Sequence, residues 1–210
     1  DLTYSDVFMV PGFSDVGSRF EVDTTPPEGT GTSIPIVVSN MNAVAGRRMA
    51  ETIARRGGLC VLPQDLSKDE VKKIVESVKS AHVIFDTPII LSPNDTVYTA
   101  MELIHKRAHG AVVIVDASNR PVGVFTLDDA RGWESFSKLE TVMSRSVLTL
   151  PASMSPEQMY AELENNRLKL APVVDEEKLV GIMTQKHALR STLYKPAVDK
   201  QGRLMVAAAI

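Results

Sequence analysis

"GVFTLDDA" (Gly123–Ala130) and "GIMTQKHA" (Gly181–Ala188) say nearly the same thing, 181 − 123 = 58 positions apart. Each opens on glycine, runs through two apolar residues to threonine, and ends in alanine. Upstream, the match continues. The strand-like runs "AVVIVD" (Ala111–Asp116) and "APVVD" (Ala171–Asp175) both end in aspartate. The turns "ASNRP" and "EEK" follow, then the runs "VGVFT" and "LVGIMT". Ahead of them lie two helices. One is expected with Asp95 as its N-cap and Val97, Ala100, Met101 and Ile104 facing inward. The other has Ser155 as N-cap, Pro156 in the first position and Gln158 closing a capping box. A unit repeated once implies a pseudo-two-fold pair, each copy covering a sheet that the other cannot cover alone.

The flanks read differently. "IPIVVS" (Ile34–Ser39) is a continuous apolar run, expected as a strand buried on both faces. Val44, Met49, Ala50, Ile53 and Ala54 then follow helical spacing, and Gly57-Gly58 stops the helix. "LCVL" (Leu59–Leu62) is a second buried run. Strand, helix, strand is a βαβ unit, which implies parallel pairing and α/β architecture. "SKDE" (Ser67–Glu70) has capping-box spacing and leads a helix with Val71, Ile74, Val75 and Val78 on one face. The closing "GRLMVAAAI" (Gly202–Ile210) returns to the flank's style, as a turn and a strand that needs neighbours. The repeat therefore reads as an insertion in an α/β domain, and the chain as a piece of something longer. The expected divisions are 1–82, 83–136, 137–193 and 194–210.

Composition sets bounds. The 210 residues are 44% apolar and 23% charged, ordinary for a globular chain with a core. A formal net charge of −3 without a basic stripe argues against nucleic acid or an anionic membrane as partner. No apolar run approaches the ~20 residues of a membrane span. One cysteine, Cys60, leaves no internal disulfide. With no signal peptide in the first residues, a cytoplasmic setting is expected. Cys60 lies inside an apolar run, where a buried, inert thiol is expected. His82, His105 and His109 have no metal-ligand spacing, so no metal is expected.

Thr126 and Asp129 stand three residues apart at a strand-to-helix turn. A helix N-terminus there would offer free N–H groups to a phosphate, and a carboxylate can accept both hydroxyls of a ribose. The same residues also suit a plain N-cap. In the second copy His187 replaces the carboxylate, and Lys186 beside it suits a phosphate or solvent.

Taken whole, each copy resembles a cystathionine-β-synthase (CBS) domain, and the tandem resembles a Bateman module. That resemblance implies nucleotide binding, with ATP or GTP as regulatory ligand. It places the base near Ile89, Ile90 and His109–Gly110–Ala111, with Thr126 and Asp129 on the ribose and phosphate, and a diverged second site at Thr184, Lys186 and His187. The flanks "LTYSDVFMVPGFSDV" (Leu2–Val16), "IPIVVSNMNAVAGRRMAETIARRGGLCVLPQDL" (Ile34–Leu66) and "GRLMVAAAI" resemble the IMP dehydrogenase/GMP reductase family. This implies the start of a (β/α)8 TIM barrel interrupted by the CBS pair, and a homo-oligomer, tetramer or octamer. It implies that Ser39 and Met41 bind a purine nucleotide substrate. Asn40 and Asn42 in "SNMNAV" resemble the reductases more than the dehydrogenases, while "LPQD" (Leu62–Asp65) departs from the His-containing turn of many relatives. The expected parent activity is reduction of GMP to IMP with NADPH. The family's cysteine nucleophile is not in this chain: no catalytic residue is assigned here, and the chain alone is expected to be inactive. Two alternatives stand: an IMP dehydrogenase using NAD, and a nucleotide-sensing CBS module without catalysis.

Overall fold

A computed structural model describes Thr3 and residues 5–210. The expected amino-terminal arm includes Leu2 and Tyr4, which lie outside the described residues. The rest of the arm has no helix or strand, with Phe8, Met9, Val10 and Phe13 exposed, up to a 3-10 turn at Arg19–Glu21.

The fold is mixed α/β, in three small sheets. The first combines β1 (Val37–Val38), β2 (Leu59–Leu62) and β9 (Ala207–Ala208), all parallel in the order β1-β2-β9. Helix α1 (Arg47–Arg55) makes the crossover between β1 and β2. Its apolar face, Ala50, Ile53 and Ala54, packs on Cys60 and Leu204. Gly57 ends it at φ +93, a conformation that glycine adopts without strain. A Cβ there would lie 1.9 Å from Ser33 Oγ and 2.7 Å from the Lys195 carbonyl. Helix α2 (Lys68–Ser80) starts on a capping box closed by Ser67 and Glu70, and buries Val78 in the same core. Strand β1 is shorter than the apolar run predicts. Ile36 and Val37 are exposed, because among the described residues β1 pairs on one edge only.

Between α2 and β9 the chain builds two further sheets, β3-β4-β5 and β6-β7-β8. The first holds β3 (Ile90–Leu91), β4 (Ala111–Val115) and β5 (Pro121–Thr126), with helix α3 (Val97–Ile104) against it. The second holds β6 (Leu150–Pro151), β7 (Leu170–Asp175) and β8 (Lys178–Thr184), with α5 (Pro156–Asn165) and α6 (Gln185–Ser191). A single helical turn, α4 (Leu139–Val142), leads from one to the other. In each sheet a parallel pair precedes an antiparallel hairpin. Ala111 and Val113 of one sheet meet Leu179 and Ile182 of the other in a shared core, so the sheets pack face to face. At the rim, the Asn119 side chain donates to the Leu179 carbonyl at 3.1 Å.

Local details differ from the pattern in two places. Thr96 caps α3, not Asp95, whose carboxylate instead accepts from the Ser92 N–H at 2.6 Å. After Thr126 the chain makes turns rather than a helix, whereas Thr184 caps α6.

The repeated glycines have a steric cause. The segment before each sheet crosses to the opposite partner. Asp86, ahead of the first sheet, bridges to Ile182 of the second, and Ser144, ahead of the second, bridges to Val124 of the first. Phe85 therefore lies on Gly181 and Met143 on Gly123. A Cβ on Gly181 would stand 2.5 Å from Phe85 Cβ, which is fixed by its backbone; one on Gly123 would meet the Met143 sulfur at 2.3 Å, and that sulfur can swing aside. Gly181→Ala is expected to cost about 1–3 kcal/mol, the range for an overpacked core, and Gly123→Ala less. Urea-unfolding midpoints of the two variants check the order.

Candidate functional site

Two notches open between the paired sheets, at pseudo-equivalent places. The larger has a volume of about 740 Å³ and is lined by His109 and Gly110, by Thr126–Asp129, by Ser144 and Ser146–Leu148, and by Arg167–Leu170, Thr184 and Lys186. Arg167, Lys169 and Lys186 bring three cations to it, and Asp128 and Asp129 two carboxylates. Asp129 turns back on its own strand end. Its Oδ2 accepts from the Thr126 N–H at 2.7 Å and from Thr126 Oγ1 at 2.8 Å. Thr126 is thus the anchor that fixes the Asp129 carboxylate at the mouth.

The smaller notch, about 160 Å³, holds the second copy's counterpart. His187 points into the protein. Its Nε2 meets the Ile84 carbonyl at 2.5 Å and its Nδ1 meets Asp86 Oδ2 at 3.1 Å. Thr184, Lys186 and His109 line both notches.

The remaining expected residues are elsewhere. Ile89 and Ile90 line a third groove with the loop and first turn of α1, Asn42 to Met49, away from Thr126 and Asp129. Ala111 is fully buried in the core between the sheets and lines neither notch. Ser39 and Met41 sit on the exposed loop leaving the C-terminal end of β1. That loop is tied to the one after β2 by Asn42, whose amide donates to Asp65 at 3.1 Å. Cys60 is buried in β2, and burial pushes its thiol up, away from the reactive thiolate. Among the described residues no cluster of three metal-ligating side chains occurs.

The sequence pattern misses one constellation. Glu51 of α1 is fully buried, yet charged partners surround it. Arg107 Nη1 donates to Oε2 at 2.5 Å, and so does Thr87 Oγ1 at 2.8 Å. Arg55, one turn along α1, is also buried: Nε donates to the His82 carbonyl, and Nη1 lies 3.9 Å from Glu51 and 3.6 Å from Asp86. Burial pushes the Arg55 guanidinium down from its ordinary value, opposed by Asp86 and Glu51. Burial pushes the Asp86 carboxyl up, but the His187 hydrogen bond and charge, with Arg55 and His109, hold it below the usual carboxylate range. One signal in the sequence did point here: Arg107 and Arg167 stand at the same place, four residues ahead of Ala111 and Ala171. In the fold, one reaches Glu51 and the other faces the large notch.

The comparisons with known proteins bear on the whole chain. It matches the IMP dehydrogenase / GMP reductase domain over residues 1–210. The chain belongs to that family. It is 45% identical to proteins named GMP reductase from Mycobacterium bovis and Mycobacterium tuberculosis, over 100% of this chain and 44% of theirs. It is 34% identical to an inosine-5'-monophosphate dehydrogenase from Methanocaldococcus jannaschii, covering 42% of it. The chain therefore spans less than half the length of these relatives. A crystal structure of GMP reductase from Trypanosoma brucei in complex with guanosine 5'-triphosphate superposes with a TM-score of 0.68 at 29% identity, covering all of this chain and 53% of that one. No helix among the described residues is long and apolar enough to cross a membrane.

Two stability predictions follow from the buried charges. Glu51→Ala leaves the Arg107 guanidinium without its carboxylate and Arg55 with Asp86 alone, and is expected to cost about 3–5 kcal/mol in urea unfolding. His109 supplies a pH dependence. Its Nδ1 accepts from the Ala111 N–H and its Nε2 faces the Thr87 carbonyl, both at 3.3 Å, which suits the neutral ring. Burial lowers its pKa from 6.5; the Thr87 carbonyl and Asp86 oppose this and Arg107 adds to it. The unfolded chain then binds more protons below about pH 6.5, so stability is full above that value and is lost as pH falls through the lowered folded pKa. Unfolding free energies measured downward from about pH 7.5 are expected to be level at first and then decline; a level profile through that window in wild type, matched by His109→Asn, contradicts the assignment.

Proposed function

We propose that the full-length parent of this chain interconverts purine nucleotides as a nicotinamide-dependent oxidoreductase, reducing GMP to IMP with NADPH. The amine at purine C2 is replaced by hydride and leaves as ammonia. What supports the reductase over the dehydrogenase is the 45% identity to GMP reductases against 34% to an IMP dehydrogenase, together with the "SNMN" stretch. In this reading β1, α1 and β2 open a TIM barrel, and the loop after β1 meets the substrate through Ser39 and Met41. A serine hydroxyl at a strand's C-terminal end suits a phosphate or ribose, and a thioether suits a purine edge. That loop offers no glycine-rich phosphate cradle, so no residue of this chain is assigned to the dinucleotide.

We further read residues 83–136 and 137–193 as a CBS pair that binds a regulatory nucleotide, ATP or GTP. The observation that carries this is the larger notch. It is big enough for a nucleotide, and sets a Thr126-anchored carboxylate opposite Arg167, Lys169 and Lys186. Asp129 accepts the ribose hydroxyls there, His109 and Gly110 flank the base, and the cations take the phosphates. The turn at Leu127–Gly132 supplies no helix N-terminus, so side-chain cations carry the phosphate term. The smaller notch is narrowed by the His187 contacts, and its Thr184 and Lys186 also line the larger one.

Asp129→Ala is expected to weaken ATP or GTP binding by about 1–3 kcal/mol, the cost of losing a charged hydrogen-bond partner. Calorimetry on the chain checks it, and His187→Ala is expected to matter less. The catalytic reading is checked on the full-length protein: NADPH oxidation in the presence of GMP, with ammonia released, supports it. NAD-dependent oxidation of IMP without GMP reduction overturns it.

A further inference from the structure

The ionic cluster around Glu51 joins three parts of the molecule that the sequence keeps far apart. Glu51 and Arg55 belong to α1, Asp86 and Thr87 to the segment entering the first sheet, and Arg107 to the turn between α3 and β4. Through Asp86 the cluster also reaches His187 of α6. The contact between α1 and the paired sheets is therefore made of charge, most of it removed from water. Side chains of Glu51, Arg55 and Arg107 are 0%, 3% and 10% exposed.

Such a cluster does not deform smoothly. Buried charges are held only while their partners are at hydrogen-bond distance, and separation leaves a desolvated charge. Arg107 is two residues from His109 and three from Gly110, and both of these line the larger notch. Gly110 has φ +64, so the turn carrying Arg107 bends at a residue free of Cβ constraint. At the other end, Ala50 and Ala54 flank Glu51 on α1 and pack in the core with Cys60 of β2. α1 follows directly on the loop that holds Ser39 and Met41. His109 is thus two residues from Arg107, and Arg107 meets Glu51 of α1 through Nη1 at 2.5 Å and Nη2 at 3.5 Å.

We propose that the Glu51–Arg107 pair is a coupling strut that transmits occupancy of the larger notch to α1 and the strand-end loop ahead of it. The inference rests on the nucleotide reading of that notch. Arg107 is a positioning residue: it lines the smaller notch and the third groove, not the larger one. Coupling of this kind requires the nucleotide to favour one of two arrangements of the strut, intact or broken.

The test uses the full-length protein, with ATP and GTP as probes and two separate readouts. Calorimetry reports binding, and the rate of NADPH oxidation with GMP reports the response. In wild type the nucleotide is expected to change kcat or KM by about fivefold or more, the lower end of ordinary coupling. Arg107→Met is expected to keep nucleotide affinity within about threefold, well under one tenfold step of 1.4 kcal/mol. It is expected to keep the basal rate and lose the response, and Arg107→Lys to restore part of it. Should Arg107→Met fail to fold, the Glu51→Gln/Arg107→Met double variant removes both charges together and carries the same expectation. An unchanged response in the variant that folds overturns the strut and leaves the nucleotide site standing, as does binding without any response in wild type. Absence of ATP and GTP binding to wild type overturns the notch reading, and the strut with it.

Discussion

Strand β9 lies beside β2, and that pairing constrains everything between them. The chain leaves the first sheet at Leu62, passes through α2 to Ser80, and must return to within one strand spacing of β2. The 126 residues between Ser80 and Ala207 (207 − 80 − 1) therefore have to close on themselves. They do so by exchange: the segment before each sheet crosses to cover the other sheet. Phe85 enters the core of the second unit while the chain proceeds to the first, and Ser144 bridges back to the first while the chain proceeds to the second. The exchange locks the two units together more firmly than face packing alone. It also explains why a glycine is needed at both Gly123 and Gly181. At Gly181 the incoming Phe85 Cβ leaves no room for a side chain, and at Gly123 the Met143 side chain would have to move to admit one.

The same duplication creates two equivalent notches, and the substitution of His187 for Asp129 separates their fates. Asp129 satisfies itself locally, through Thr126, and stays at an open mouth. His187 is long enough to reach across to Ile84 and Asp86, and lines a narrower notch. Arg107 and Arg167 diverge in parallel. One is consumed by Glu51, the other left facing open space with Lys169 and Lys186. Pseudo-symmetry of backbone coexists with divergence of side chains: one notch is the wider, with Arg167, Lys169 and Lys186 on its wall, while the other is narrower, borders α1 and is lined by Arg55, Arg56, Arg107, Lys186 and Arg190.

What could be read ahead of the fold follows from the range of each interaction. The capping boxes at Ser67–Glu70 and Ser155–Gln158 close within four residues, so spacing alone finds them. The βαβ unit and the repeat were legible for a similar reason: periodicity and duplication are written along the chain. Asp95 misled because an aspartate two residues before an apolar run serves equally as a turn residue, and the Ser92 N–H claimed it. Ile89 and Ile90 border the groove beside the loop before α1, with Ile89 also packed against the core of the first sheet, a placement that an apolar pair at a strand start leaves open because neighbouring residues point to opposite faces. The Glu51 cluster was hidden by distance. Its contacts to Thr87 and Arg107 span 36 and 56 residues, and on α1 alone Glu51 and Arg55 look like an ordinary exposed i,i+4 pair.

That disguise bears on why charge rather than hydrocarbon occupies the joint. A wholly apolar contact between α1 and the paired sheets would hold equally well over small shifts, since dispersion and apolar burial have no preferred direction. A carboxylate shared by Arg107, Thr87 and Arg55 is directional and tolerates little displacement. It need not make the protein more stable than a hydrophobic joint would, because desolvation offsets much of the attraction. What it adds is a defined orientation of the paired sheets on α1, with a sharp difference between the intact and the broken state. The Arg55 Nη1 nitrogen marks the limit of that arrangement. It is buried without a hydrogen bond, held only by the charges of Asp86 and Glu51 at 3.6 and 3.9 Å. Arg55 therefore sits between two carboxylates without a hydrogen bond from Nη1 to either, while Glu51 accepts its hydrogen bonds from Arg107 and Thr87.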